Sequence, residues 1–185
     1  MHKTFFIIVA SILFLLIMVS NSSAIAAQSP AALRCGVDQN LPAQHFFADP
    51  DGQSGWKEYP GPEAISQLYG EGGVFARQWK GVDGKFLIRT EEPGEDFTAY
   101  TDYCFDRTGD LIQFRFELRT VWGWGYRKES PISNGLLASN ESEYFSLKTD
   151  LPIAKPDDAE NIPDALSPRL YMKQGQLPFS KLLAK

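Results

Sequence analysis

The most unusual chemistry-bearing run in the sequence is Trp122-Gly123-Trp124-Gly125-Tyr126. In an extended chain Trp122, Trp124 and Tyr126 share one face and the two glycines leave the other face bare. Three rings on one face make a stacking platform for a sugar, a peptide or an aromatic ligand. The rival reading continues a core begun by Phe114 and Phe116, with glycine letting a helix or loop approach closely. The unbroken alternation favours core. A second group is charged: Arg89, Asp102, Arg115, Glu117 and Arg119. Glu117 between two arginines could act as an acid or base, or the arginines could hold an anionic ligand. The plainer alternative is a solvated cross-strand charge ladder, contributing a few tenths of a kcal/mol per pair.

Other chemistry finds little support. Cys35 and Cys104 are the only cysteines, and an even pair in an oxidising compartment reads as a disulfide. It closes a loop of about 70 residues, contributing roughly 4 kcal/mol in the chain-entropy model. A reactive thiol with His45 as its base has no local motif behind it. The chain has two histidines, His2 and His45, which leaves no multi-histidine zinc site after the leader. The stretch from Asp49 to Gly55 departs from a calcium loop, because Gly52 comes fourth rather than sixth and no bidentate Glu follows in place. There is no glycine-rich phosphate loop and no Gly-x-Ser-x-Gly elbow. No catalytic residue, metal ligand or cofactor is therefore assigned. Asn140-Glu141-Ser142 is a glycosylation sequon, relevant in a eukaryotic source.

The elements that must position these groups follow from periodicity. Ile112, Phe114, Phe116, Leu118, Thr120, Trp122, Trp124 and Tyr126 occupy every second position, which predicts one long half-buried strand over 111–126. Similar alternation predicts strands over 85–91 and 96–105, with 143–149 pairing against the far end of 111–126. Residues 74–80 read as a strand leading in. Four-residue loops at 92–95 and 106–109 keep the apolar set on one face. They give inner rows Ile88–Ala99–Phe116 and Thr90–Phe97–Leu118. The outer rows are Lys85–Asp102–Gln113, Leu87–Tyr100–Arg115, Arg89–Thr98–Glu117 and Asp96–Arg119. Cys104 falls on the outer face, so the disulfide pins the preceding segment across that side.

Pro62 can open a helix over 62–69, with Gly70 ending it. Residues 28–61 read as loop-rich, tethered by the disulfide, and 62–150 as helix plus sheet. Residues 151–185 form a Pro-rich tail that allows only short helices, at 168–174 and 178–184. The fold class expected is α+β: an antiparallel meander of about four strands, covered by the 62–69 helix and short C-terminal helices. Such an arrangement occurs in many small cell-envelope domains, a fold-level likeness that carries no function.

Residues 1–27 read as a cleavable signal peptide, with a basic start, an apolar run from Phe5 to Val19 and a small-x-small site at Ala24-Ile25-Ala26. Cys35 follows Arg34, beyond that run, so there is no lipobox. Cleavage after Ala26 leaves about 159 residues, the size of one domain over 28–185. No later apolar run is long enough to span a bilayer, so no stable membrane insertion is expected after cleavage. The net charge is −5 and there is no basic stripe, which argues against nucleic acid, so no nucleic-acid partner is expected. The leading expectation is a secreted or periplasmic, non-enzymatic module that binds a protein or small ligand. One alternative is a hydrolase-like enzyme using Glu117 with Arg115 and Arg119. Another is a structural envelope protein docking through its tail.

Overall fold

The computed structural model describes residues 35–66, 73–138, 141–161 and 167–183. The expected signal peptide and the 67–69 end of the expected helix lie outside these residues. The strands are β1 (His45–Asp49), β2 (Lys57–Tyr59), β3 (Val74–Lys80), β4 (Phe86–Pro93) and β5 (Phe97–Phe105). They continue with β6 (Leu111–Thr120), β7 (Trp124–Ser133), β8 (Leu136–Leu137), β9 (Glu141–Ser146) and β10 (Pro152–Ile153). Among the described residues the α-helices are the short α1 (Pro62–Ser66) and α2 (Ser180–Leu183). The strands form one sheet of ten in the order β10-β9-β7-β6-β5-β4-β3-β1-β2, with β8 attached to β7. Every pairing along it is antiparallel.

The chain is thus sheet-rich with few short helices, but the sheet has ten strands where four were expected. Two strands, β1 and β2, come from the 28–61 segment expected to be loop-rich. They are short and bounded by the Asp49-Pro50-Asp51-Gly52 turn, so periodicity had little length to act on. The larger correction is at 111–126. The strand stops at Thr120, turns through Val121, Trp122 and Gly123, and returns as β7. Gly123 has φ +87°, the left-handed conformation that closes a three-residue hairpin loop. Residues then pair as Leu118 with Tyr126 and Phe116 with Lys128. An odd-length loop pairs even numbers with even numbers, so the alternation runs through the turn unbroken. Residues 127–138, beyond the expected strand, are therefore mostly strand, and β7 intervenes between β6 and β9.

The expected faces of β4, β5 and β6 hold for most residues, while the rows shift. Ile88 pairs with Tyr103 rather than Ala99, because Glu92 and Pro93 belong to the strand and the turn is tighter than four residues. Pro93 lies past the end of the β3 pairing, which stops at Glu91, so its missing N–H costs nothing there. Ala99 pairs with Leu118, because Phe105 pairs with Leu111, one residue beyond the expected loop, and a bulge then leaves Ile112 of β6 without a strand partner. The bulge also swaps Ile112 out of the main core and puts Leu111 in.

The inner face carries that main core: Phe47, Ile88, Tyr103, Phe105, Phe114, Phe116 and Leu118 are buried. Burial of each ring contributes roughly 1.5–3 kcal/mol. The C-terminal tail covers this face. Phe179 stacks on Phe47 at 5.2 Å and meets Trp56 at 4.5 Å. The Tyr103 hydroxyl donates to the Arg169 carbonyl at 2.7 Å, and the Leu111 N–H to the Met172 carbonyl at 2.9 Å. Of the helices expected over 168–174 and 178–184, the tail forms a 3₁₀ turn at Gln174–Gln176 and the short α2. The backbone over 172–174 bonds instead to the turn between β5 and β6, with Lys173 bridging Asp110 and the Gln174 N–H donating to the Gly109 carbonyl at 2.8 Å. Cys35 and Cys104 are joined in a disulfide with Cα atoms 5.4 Å apart. With Val37, Trp79 and Leu87 they form a second, smaller core on the outer face.

Candidate functional site

The outer face of the sheet, opposite the tail, is charged. A cleft of about 480 Å³ lies across β4, β5, β6 and β7. Arg89, Arg115, Arg119 and Arg127 reach into it, with Asp102, Glu117 and Asp150 among them. Period-two strands put these residues on one face. The antiparallel register sets them side by side: Asp102 opposite both Arg89 and Arg115, and Glu117 opposite Tyr100 and Arg127.

The charges are paired closely. Arg89 grips Asp102 with two bonds, Nε to Oδ1 at 2.6 Å and Nη2 to Oδ2 at 2.9 Å. Its Nη2 also donates to Gln39 at 3.2 Å, on the segment that the disulfide holds against the sheet. Glu117 accepts one bond on each oxygen, from Arg115 Nη2 at 2.6 Å and from Arg119 Nε at 2.7 Å. Arg127 donates to Glu143 at 2.5 Å and to Asp150 at 3.0 Å. Burial opposes the charge on Arg89 and Arg127. For Arg89 the bond and charge of Asp102 outweigh it; for Arg127 those of Glu143 and Asp150 do. Both guanidiniums are held above their ordinary pKa. Burial, helped by the Glu91 charge, pushes the Tyr100 hydroxyl up.

These are not the freely solvated charges of an ordinary ladder. The Asp102 side chain is 5 % exposed, Glu117 12 % and Arg115 17 %. The acceptors are also better satisfied than the donors. Asp102 and Glu117 have both oxygens engaged. Arg115 makes one bond, through Nη2, and its buried Nε has no partner. Arg119 bonds only through Nε and is 55 % exposed at the mouth. A guanidinium carries five N–H donors, so the arginines of the cleft carry more donors than its carboxylates engage.

An apolar wall borders the donors. The Phe145 ring lies over Gly125, where a Cβ would collide with the ring carbons. Arg127 in turn sits 4.4 Å above the Phe145 centroid, within cation–π range. This fixes the use of Gly125: its bare face receives a ring from β9. Leu147 completes the wall, and its N–H bonds to the Gly123 carbonyl at 3.0 Å.

No family model, curated protein or solved structure matches this chain.

The Trp run is divided between two settings. Trp124 is 5 % exposed and belongs to the core, and Tyr126 is partly buried against Phe116 and Tyr144. Trp122 is 40 % exposed at the hairpin tip, stacked on Trp124 at 6.1 Å. The three rings do not share an open surface. His45 Nδ1 lies 2.7 Å from Glu58 and Cys35 is in the disulfide, so the two form no nucleophilic pair. Asp51 is bonded by the Gln53 and Ser54 N–H groups and the Ser54 hydroxyl, a local turn that holds its carboxyl well below the usual range. Among the described residues no cluster of three His, Cys, Asp or Glu could hold a metal ion. No described helix is long and apolar enough to cross a membrane.

Sequence reasoning selected Arg89, Asp102, Arg115, Glu117 and Arg119 but missed Arg127, Phe145, Leu147 and Asp150. The signal that finds them is Gly123. Breaking the strand there turns Arg127 toward Glu117 and brings β9 alongside.

Proposed function

We propose that this chain is an exported, non-enzymatic binding module whose outer-face cleft takes a ligand through its oxyanion groups. The observation that carries this reading is the donor surplus: Arg115 and Arg119 converge on one carboxylate and keep unsatisfied N–H groups, one of them buried. Arginine forks match carboxylate and phosphate oxygens in pairs, and the exposed Arg119 guanidinium keeps donors that Glu117 does not use. Export rests on the leader-like residues 1–27, and the Cys35–Cys104 disulfide supports an oxidising compartment.

The hydrolase alternative is weaker. A general acid or base needs an oxygen available to the reacting proton, and both Glu117 oxygens are occupied by arginine. Docking through a detached tail is also disfavoured, since Leu177 and Phe179 are 2 % and 1 % exposed against the sheet. The test is a thermal-shift series with phosphate and citrate at constant ionic strength, on the purified domain and on Arg119→Ala. The proposal expects saturable stabilisation of the wild type and a much smaller shift in the variant. Equal shifts in both, or none in either, contradict it.

A further inference from the structure

We infer that Glu117 is a built-in counter-ion that the ligand displaces, and that the cleft therefore selects oxyanions of more than one charge. The inference rests on the reading of the cleft as an oxyanion site and goes beyond it in naming what competes there. Arg115 and Arg119 lie four residues apart on β6, about 13 Å along an extended strand. Yet both side chains bend to Glu117, halfway between them, and bond its two oxygens at 2.6 and 2.7 Å. The carboxylate thus holds two like charges together in the place where an incoming oxyanion makes its best contacts.

The arrangement has a chemical consequence. A ligand with a single carboxylate offers Arg115 and Arg119 no more than Glu117 already gives, and it also loses translational freedom on binding. Exchange becomes favourable only when the ligand brings greater charge or more acceptor oxygens than one carboxylate. A phosphoryl dianion does so, and so do clustered carboxylates. Such a ligand can also engage the exposed end of Arg119, which Glu117 leaves unused. Arg127 stands across the strand pair from Glu117 but is committed to Glu143 and Asp150, so it borders the site without supplying the exchange. Asp102 stays with Arg89, since both its oxygens are bonded there. Release of Glu117 frees two guanidiniums at once.

Isothermal titration of the purified domain with pyrophosphate, citrate and acetate at constant ionic strength tests this, on wild type, Glu117→Gln and Arg119→Ala. The polyanions bind wild type and acetate does not. Glu117→Gln binds pyrophosphate about three- to tenfold more tightly, since removing a competing charge favours the anion. Arg119→Ala binds more weakly. If pyrophosphate binds and citrate does not, the ligand is phosphoryl; the reverse assigns it to carboxylates. Should wild type bind pyrophosphate while Glu117→Gln binds equally or less well, displacement is overturned and the oxyanion reading stands. Should neither wild type nor Glu117→Gln bind any of the three, both fall. Glu117→Asp, which keeps the charge but draws it back from the two guanidiniums, is expected to change affinity in the same direction. It decides the matter if the glutamine variant does not fold.

Discussion

At the scale of single residues the outer face is governed by who completes whom. Asp102 is nearly fully buried, and its bonds to Arg89 compensate for that burial. Such a pair need not exceed a well-packed apolar pair in stability, but removing one partner leaves the other charge stranded. Asp102→Ala is therefore expected to destabilise the fold by about 2–4 kcal/mol, because Arg89 is 26 % exposed and partly rescued by water. Urea unfolding measures it, with the Asp102→Ala/Arg89→Met double variant expected to recover part of the loss. Glu117 behaves differently. It holds two arginines at a site that opens to solvent, so its replacement should alter binding more than stability. The individual residues of this cluster were readable in the sequence: charge and parity alone put Arg89, Asp102, Arg115, Glu117 and Arg119 on one face. Which of them touch was not readable, because pairing depends on turn lengths that no side-chain pattern records.

At the scale of elements, two glycines in one short run do different work. Gly123 closes the β6–β7 turn with a left-handed backbone and open space around its Cα. Gly125 lies under the Phe145 ring. Gly123→Ala should cost about 1 kcal/mol of backbone strain. Gly125→Ala should cost more, about 1–3 kcal/mol or above, because the added methyl meets both the Phe145 ring and the Leu118 backbone carbonyl. It should also disturb Arg127, whereas Gly123→Ala should not. Chemical denaturation ranks the two, and ligand titration separates their effects on the cleft. The Trp-Gly-Trp-Gly-Tyr run shows why half of the sheet was hidden. A hairpin whose loop has an odd number of residues preserves even–odd parity, so Phe114 to Tyr126 reads as one strand although it is two. The disulfide, the inner-face core of β4 to β6 and the predominance of antiparallel sheet were legible because each rests on composition or on parity. β1, β2 and β10 were not, being too short for either signal.

At the scale of the whole molecule the sheet separates two tasks. Its inner face is sealed by the C-terminal tail. Its outer face is framed at one end by the disulfide-held segment, from which Gln39 reaches Arg89, and at the other by Leu147 and Asp150. Replacing Cys35 and Cys104 by alanine together should remove about 4 kcal/mol of stability, from loop closure over 69 residues. It should also weaken ligand binding through the loss of the Gln39 contact, an effect read by comparing melting with and without ligand. The claim on which the account turns is that Arg115 and Arg119 offer free donors to an oxyanion. The most direct test is nuclear magnetic resonance of the arginine Nε–H signals during titration with pyrophosphate at constant ionic strength. Saturable shifts are expected for Arg115 and Arg119, with Arg77 and Arg169, which do not line the cleft, unmoved. Absence of any shift, or the same unsaturated drift at every arginine, would contradict the claim.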